Sequence, residues 1–192
     1  MLETIKDIRN LTGAGVVDIK KALEEAGGDK EKAIDILRKK GLEKAAKKGD
    51  REAKEGVVGV YVHSNEKLGA MIKLYCETDF VARNAEFKEL AKDLAMHIVA
   101  MKPQCVYPQE VDNEEVAKQR EFWIEQLKSE GKPEAILDKI LQGKEDKLRK
   151  EAALMTQAFV KNPDVTVEEL VKEKIAKIGE NIQIGDFIRF EL

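Results

Sequence analysis

The stretch "GVVGVYVHSNEKLGAMIKLYC", from Gly56 to Cys76, decides the fold of this chain. Apolar residues alternate with other residues on both sides of the short polar segment "SNEK". A period of two is typical of a β-strand with one buried face, and two such strands around a short polar turn predict a β-hairpin. The alternation returns at the C-terminus, where one parity holds Ile182, Ile184, Ile188, Phe190 and Leu192. We therefore expect a third strand to join the hairpin in a small antiparallel sheet.

Residues 1 to about 40 predict three short helices. Leu2, Ile5, Ile8 and Leu11 recur at helical spacing, and the segment "TGAG" after them breaks the pattern. Asp29 can cap the third helix, which we expect to end at Gly41. The sequence predicts a compact three-helix bundle.

The next segment, "LEKAAKKGDREAKEG" at residues 42–56, is highly charged. Its lysines could form a nucleic-acid patch, but acidic residues are interleaved and no aromatic is available to stack on bases. We favour an exposed helical linker between two domains, residues 1–54 and 55–192, with no direct nucleic-acid contact.

Helical patterns fill the region between the hairpin and the last strand. Phe87, Leu90, Leu94 and Ile98 share one helical face, and two charged helices follow around "SEGKPEA". These two helices predict a helical hairpin, at about 113–157, that projects from the body. The expected fold class is therefore α+β.

Composition narrows the class of function. The 192 residues carry 34 basic and 37 acidic side chains, a balance that gives no general attraction to nucleic acid. No apolar run approaches the roughly 20 residues that span a bilayer. Cys76 and Cys105 match no metal-ligand spacing. We expect a cytoplasmic protein with reduced thiols and no membrane contact.

A search for catalytic chemistry finds no motif. The chain has two histidines, His63 and His97, and neither lies in a zinc-protease or other catalytic signature. No phosphate-binding glycine loop is present. We expect no catalytic residue, no metal ligand and no cofactor, and a small hydrolase using either histidine remains an alternative.

The segment "ETDFVARNAEF", residues 77–87, places an aromatic at a helix start. Thr78 and Asp79 carry oxygens that can cap a first turn, so Phe80 lies at a corner of the fold. Such a side chain either folds back under its own helix or points at a partner.

Long motifs in order along the chain carry a family resemblance. They include "LTGAGVVDIKKALEEAGGDKEKAIDILRKKG", "CETDFVARNAEF", "LAKDLAMHIVAMKP" and "KIGENIQIGDFIRFEL". With them the chain resembles the bacterial translation elongation factor Ts family over essentially all its residues. The resemblance implies a ubiquitin-associated-like bundle, an α+β dimerisation core, and activity as a guanine-nucleotide exchange factor for elongation factor Tu.

The resemblance also implies two partner-binding segments. The first, Thr78, Asp79, Phe80 and Val81, would reach into elongation factor Tu and dislodge its Mg²⁺. The second lies in the bundle and comprises Arg9, Gly13, Ala14, Gly15, Val16 and Val17. For one of the two valines, a place in the core of the bundle is an equally good expectation. The rival function is a peptide- or ubiquitin-like-binding module without exchange activity.

The length matches the short form of the family, which implies a homodimer. Tyr61, Met71, Tyr75 and Phe187 share the parity opposite the expected core face, where they would expose apolar surface for a second copy to cover. The last strand has no cysteine, so a disulfide through it is not expected.

Overall fold

The computed structural model describes residues 2–192 and has an α+β architecture, as predicted. The helices are α1 (Leu2–Thr12), α2 (Val16–Glu25), α3 (Lys30–Ala46), α4 (Asp79–Arg83), α5 (Ala85–Met101), α6 (Asn113–Ser129), α7 (Glu134–Ala152) and α8 (Val167–Ile178). The strands are β1 (Glu55–Val62), β2 (Leu68–Cys76), β3 (Ala158–Phe159), β4 (Asn162–Thr166) and β5 (Ile182–Glu191). The chain forms two compact units, one of residues 2–96 with 168–192 and the other of residues 97–167. No helix within the described part of the chain is both long and apolar enough to cross a membrane.

The sheet of the first unit confirms the predicted hairpin and third strand. Its order is β1-β2-β5, with both pairs antiparallel. Ala70, Ile72 and Leu74 are buried on one face. Gly59 on β1 approaches α5 so closely that a Cβ there would overlap the carbonyl group of Ala91. The missing side chain therefore lets the helix lie directly on the strand.

A bulge in β5 corrects the predicted parity of the last strand. Leu74 pairs with Ile184 but Ile72 pairs with Phe187, so β5 has one extra residue at this point. Because side chains alternate between faces, one extra residue reverses every position beyond it. Ile182 and Ile184 are consequently buried, whereas Ile188 and Phe190 are exposed on the other face.

The same register shows that two of the side chains predicted for the outer face lie on the core face. Tyr61 pairs with Ala70 and Phe187 with Ile72, and these two aromatics therefore lie on the core face. The opposite face carries six exposed apolar side chains, which we call the outer patch: Val58, Val60, Val62, Met71, Ile188 and Phe190.

The N-terminal bundle has the three predicted helices and its own core. Its buried residues are Ile5, Ile8, Ile19, Ala22, Ala33 and Leu37. The predicted helix end at Gly41 is wrong, because α3 continues to Ala46. Gly41 lies against α8, where an added Cβ would be 3.1 Å from the Cβ of Ala176. This glycine therefore serves a close helix contact and not a helix end. The predicted helical linker at residues 42–56 is helical only as far as Ala46, and the chain from Lys47 to the start of β1 is non-helical.

The second unit contains the predicted helical hairpin, α6 and α7. Its small core is formed by Leu127, Leu137 and Leu141, with Trp123, Ile124 and Ile140 packed against them. Arg120 on α6 pairs with Asp138 and Glu145 on α7. The hairpin is thus held by both apolar packing and ion pairs.

Candidate functional site

The chain turns sharply where it leaves β2, and Thr78 organises the turn. Thr78 has extended backbone angles and its hydroxyl oxygen accepts from the amide of Val81 at 3.4 Å, which makes it the N-cap of α4. This confirms the helix start predicted from Thr78 and Asp79. Ala82 is the buried residue of this five-residue helix. The other side of α4 faces solvent.

Phe80 is 79% exposed. The alternative in which Phe80 folds under its own helix is therefore wrong. Asp79 forms an ion pair with Arg83 one turn later, at 3.0 Å, and Val81 is half-buried. The corner presents an aromatic ring next to a carboxylate.

Residues of the turn before β5 hold this corner in place. The carboxylate of Glu180 accepts from the amides of Glu77 and Thr78 at 3.1 and 3.0 Å, and from the hydroxyl of Thr78 at 2.7 Å. In return, Glu77 accepts from the amide of Asn181 at 2.6 Å. The antiparallel pairing of Cys76 with Ile182 brings the two segments together. The sequence analysis missed Glu180 and Asn181, since nothing local in "GENI" indicates a partner 102 residues away.

The side chains of Asn181 and Cys76 are buried beside this corner. The amide of the Asn181 side chain donates to the carbonyl oxygens of Gly49 and Arg51, at 3.2 and 2.6 Å. Burial, helped by the charge of Glu180, raises the pKa of the Cys76 thiol to about 11. Cys76 is thus a protonated thiol at neutral pH and donates to the carbonyl of Thr78.

The second predicted segment forms the junction between α1 and α2. Gly13 has φ +66°, and a Cβ on it would lie 2.7 Å from Cγ of Lys177, so both its conformation and its surroundings require glycine. Gly15 is the N-cap of α2, and Ala14 packs against the bundle core.

The side chains of this junction face outward. Val16 and Val17 are 40% and 66% exposed, and Arg9 is exposed as well. The expectation that one of the valines belongs to the core is therefore wrong. Two apolar side chains at a helix start form a small surface that a partner can cover.

The end of α8 and the turn after it contact both predicted segments. Lys177 packs against Gly13 and forms an ion pair with Glu86 at 2.6 Å, and Glu180 lies three residues further on. Among the described residues, no hydrogen bond or ion pair joins the two segments directly. Residues 177–181 thus contact both segments.

The two histidines differ in their surroundings. His97 is fully buried, its Nδ1 accepts from the amide of Val160 at 3.2 Å, and its Nε2 lies 3.0 Å from Oε1 of Gln157. Burial lowers the pKa of His97, so the ring is neutral, and both nitrogens are occupied. His63 is exposed, with Nδ1 3.1 Å from the hydroxyl of Tyr61. The part of the chain that is described contains no cluster of three or more potential metal ligands.

Comparisons with known proteins identify similar chains. The sequence model of a family described as Elongation factor TS matches residues 33–192. Elongation factor Ts of Carboxydothermus hydrogenoformans is 52% identical over 190 residues, covering 99% of this chain and 88% of the relative. Elongation factor Ts of Thermosipho melanesiensis is 50% identical over 186 residues, covering 97% and 95%. Elongation factor Ts of Alkaliphilus metalliredigens is 53% identical over 188 residues, covering 98% and 87%.

Proposed function

Since the chain belongs to the elongation factor Ts family of translation elongation factors, we propose that it is a guanine-nucleotide exchange factor for elongation factor Tu. It acts in the cytoplasm, without a cofactor and without covalent chemistry of its own. The observation that carries the proposal is Phe80, an exposed aromatic at a helix start that hydrogen bonds hold in place.

Phe80 acts as a wedge in this proposal. A bound nucleoside diphosphate is held largely by Mg²⁺ and by backbone amides around its phosphates. Thr78, Asp79, Phe80 and Val81 enter the GTPase on the magnesium side and dislodge the ion. Burial of the phenyl ring in the partner contributes roughly 1.5–3 kcal/mol to binding of the nucleotide-free state.

Exchange then follows from linkage between two binding events. The factor binds the nucleotide-free GTPase more tightly than the nucleotide-bound form, so factor and nucleotide weaken each other by the same ratio. Release of GDP needs no covalent bond of this chain to form or break. The cellular excess of one nucleotide decides which is bound afterwards.

The junction of α1 and α2 provides a second contact. Val16 and Val17 supply exposed apolar surface, and Arg9 supplies a charge close by in sequence. Gly13, Ala14 and Gly15 hold the junction that presents them. This contact increases affinity for elongation factor Tu, and the division into domains 1–54 and 55–192 remains a prediction.

A second copy of the chain covers the outer patch in this proposal. Six exposed apolar side chains on one face of a three-stranded sheet favour association. Two copies related by a twofold axis would bury the patch without further sequence features.

The test of the proposed function is the release of labelled GDP from purified elongation factor Tu. We expect Phe80→Ala to slow release at least severalfold relative to the unaltered factor, because the wedge is lost. Phe122→Ala is the matched control, since Phe122 is also exposed but lies on α6 of the other unit. Circular dichroism should show both variants folded.

Equal release rates for Phe80→Ala and the unaltered factor would contradict the wedge. Binding of elongation factor Tu without any acceleration of GDP release would instead favour the alternative function, a binding module without exchange activity.

A further inference from the structure

We propose that Glu180 is a positioning residue for nucleotide exchange, acting through the backbone that carries Phe80. This inference rests on the proposed function and adds to it a residue outside the two predicted segments. Glu180 and the two residues it holds, Glu77 and Thr78, are called the carboxylate clamp below.

The chemistry of the clamp suits a carboxylate. Glu180 faces three donors, the amides of Glu77 and Thr78 and the hydroxyl of Thr78, at 3.1, 3.0 and 2.7 Å. An ionised carboxylate offers only acceptors and can satisfy all three donors together. Its charge strengthens each bond. A glutamine could accept from both amides through one oxygen and donate to the Thr78 hydroxyl oxygen, but it would lack the charge.

A second carboxylate completes the arrangement in the opposite direction. Glu77 accepts from the amide of Asn181 at 2.6 Å, and Arg51 lies 3.6 Å from the same oxygen. Each of the two segments therefore supplies a carboxylate to the backbone of the other. This reciprocity resists sliding of one segment along the other.

Helix α4 is too short to orient Phe80 firmly by itself. It has five residues, too few for a stable helix in isolation. Phe80 makes no core contacts that could fix its direction, because its side chain is mostly in solvent. Besides the burial of Ala82, its orientation depends on Thr78, the residue directly before α4, and through Thr78 on Glu180.

Pre-organisation is what the clamp contributes to exchange. A wedge already held in its binding geometry loses less conformational freedom when it enters the partner. Glu180 itself is set by the preceding turn, where Gly179 has φ +93° and its carbonyl accepts from Nζ of Lys48 at 2.6 Å.

The test compares four variants in the GDP-release assay: Glu180→Gln, Phe80→Ala, the double variant, and Glu173→Gln as control. Glu173 is another glutamate of the same region, on α8, and pairs with Arg38 at 3.5 Å. We expect Glu180→Gln to slow release about tenfold, because a neutral amide lacks the charge that strengthens these hydrogen bonds, and Glu173→Gln to leave it unchanged. The double variant should release GDP no more slowly than Phe80→Ala, because Glu180 acts only through the wedge.

Amide hydrogen exchange gives a second readout that does not depend on elongation factor Tu. In Glu180→Gln, the amides of Glu77 and Thr78 should exchange faster, while the amides of Ile72 and Leu74 in β2 keep their protection. Faster exchange throughout the sheet would mean a general structural role and would overturn the inference.

The outcomes separate this inference from the proposed function. If Phe80→Ala slows release and Glu180→Gln does not, the positioning role is wrong and the wedge stands. If neither variant slows release, both are wrong. If the double variant is slower by the product of the two single effects, Glu180 acts independently of Phe80 and the positioning role is wrong.

Discussion

At the scale of single residues, glycines determine how closely the elements of the first unit approach. Gly59 lies under the carbonyl group of Ala91, and Gly13 lies against Lys177. Gly143, in contrast, is in the middle of α7 with no neighbouring atom within 4 Å of a Cβ built on it. The sequence does not indicate how closely other atoms approach each glycine; only the neighbours in space do.

We predict opposite effects of alanine at Gly59 and Gly143. Gly59→Ala should lower the free energy of unfolding by about 1–3 kcal/mol, since the added methyl group would force α5 away from β1. Gly143→Ala should raise it by about 0.5–1 kcal/mol, because alanine is the better helix former. Urea denaturation followed by circular dichroism measures both changes. A neutral Gly59→Ala would contradict the close approach of α5 to the sheet.

At the scale of elements, one side chain of α5 contacts β3 and the residues on both sides of it. His97 on α5 bonds to Gln157 and to the amide of Val160, and its ring stacks on Phe159 with centroids 5.9 Å apart. Gln157 in turn donates to the carbonyl of Glu151 near the end of α7 at 2.7 Å. One neutral imidazole thus links three elements.

We predict that acid weakens this link. Burial lowers the pKa of His97 below its ordinary 6.5, while the hydrogen bond to Gln157 offsets part of the effect. A histidine with a lowered folded-state pKa takes up its proton more readily in the unfolded chain, so stability is full above pH 6.5 and falls as the pH drops through that value. Thermal unfolding at pH 7.5 and 5.5, followed by fluorescence of Trp123, the chain's single tryptophan, should show this loss.

The two histidines provide the control for this experiment. His97→Gln removes the titrating ring, so its stability should vary less with pH over this range. His63→Gln should keep the dependence of the unaltered protein, because His63 is exposed. The same pH dependence in His97→Gln as in the unaltered protein would show that other groups cause the loss.

At the scale of the whole molecule, the outer patch is the most apolar exposed surface that the sheet presents. Val60, Met71 and Ile188 are direct cross-strand neighbours, and Gly69 pairs with both Val62 and Phe190. The side chains of the three strands therefore form one continuous area. A small sheet with an apolar second face needs a cover, which a second copy would provide.

We predict a homodimer that a charge in the outer patch disrupts. The unaltered protein at micromolar concentration should scatter light as two chains, with or without reductant. Ile188→Glu should shift the mass toward one chain, since two buried carboxylates would face apolar surface. Phe122→Glu, which alters an exposed aromatic on α6, is the control and should remain dimeric. A one-chain mass for the unaltered protein would rule out the dimer.

The sequence by itself determined the local features and the family. The alternation in β1 and β2, the cap at Thr78 and the helical stripe of α1 depend on residues within a few positions of one another. The family resemblance, confirmed by relatives about half identical over nearly the full length, rests on long motifs that can be read in order.

Only the tertiary structure decided features that join distant parts of the chain. The bulge that turns Ile188 outward depends on how β5 pairs with β2, and the continuation of α3 through Gly41 depends on its contact with α8. The bonds of Glu180 to Thr78 span 102 residues. Periodicity and capping describe neighbours along the chain, whereas register and close approach are set by packing, which no local pattern records.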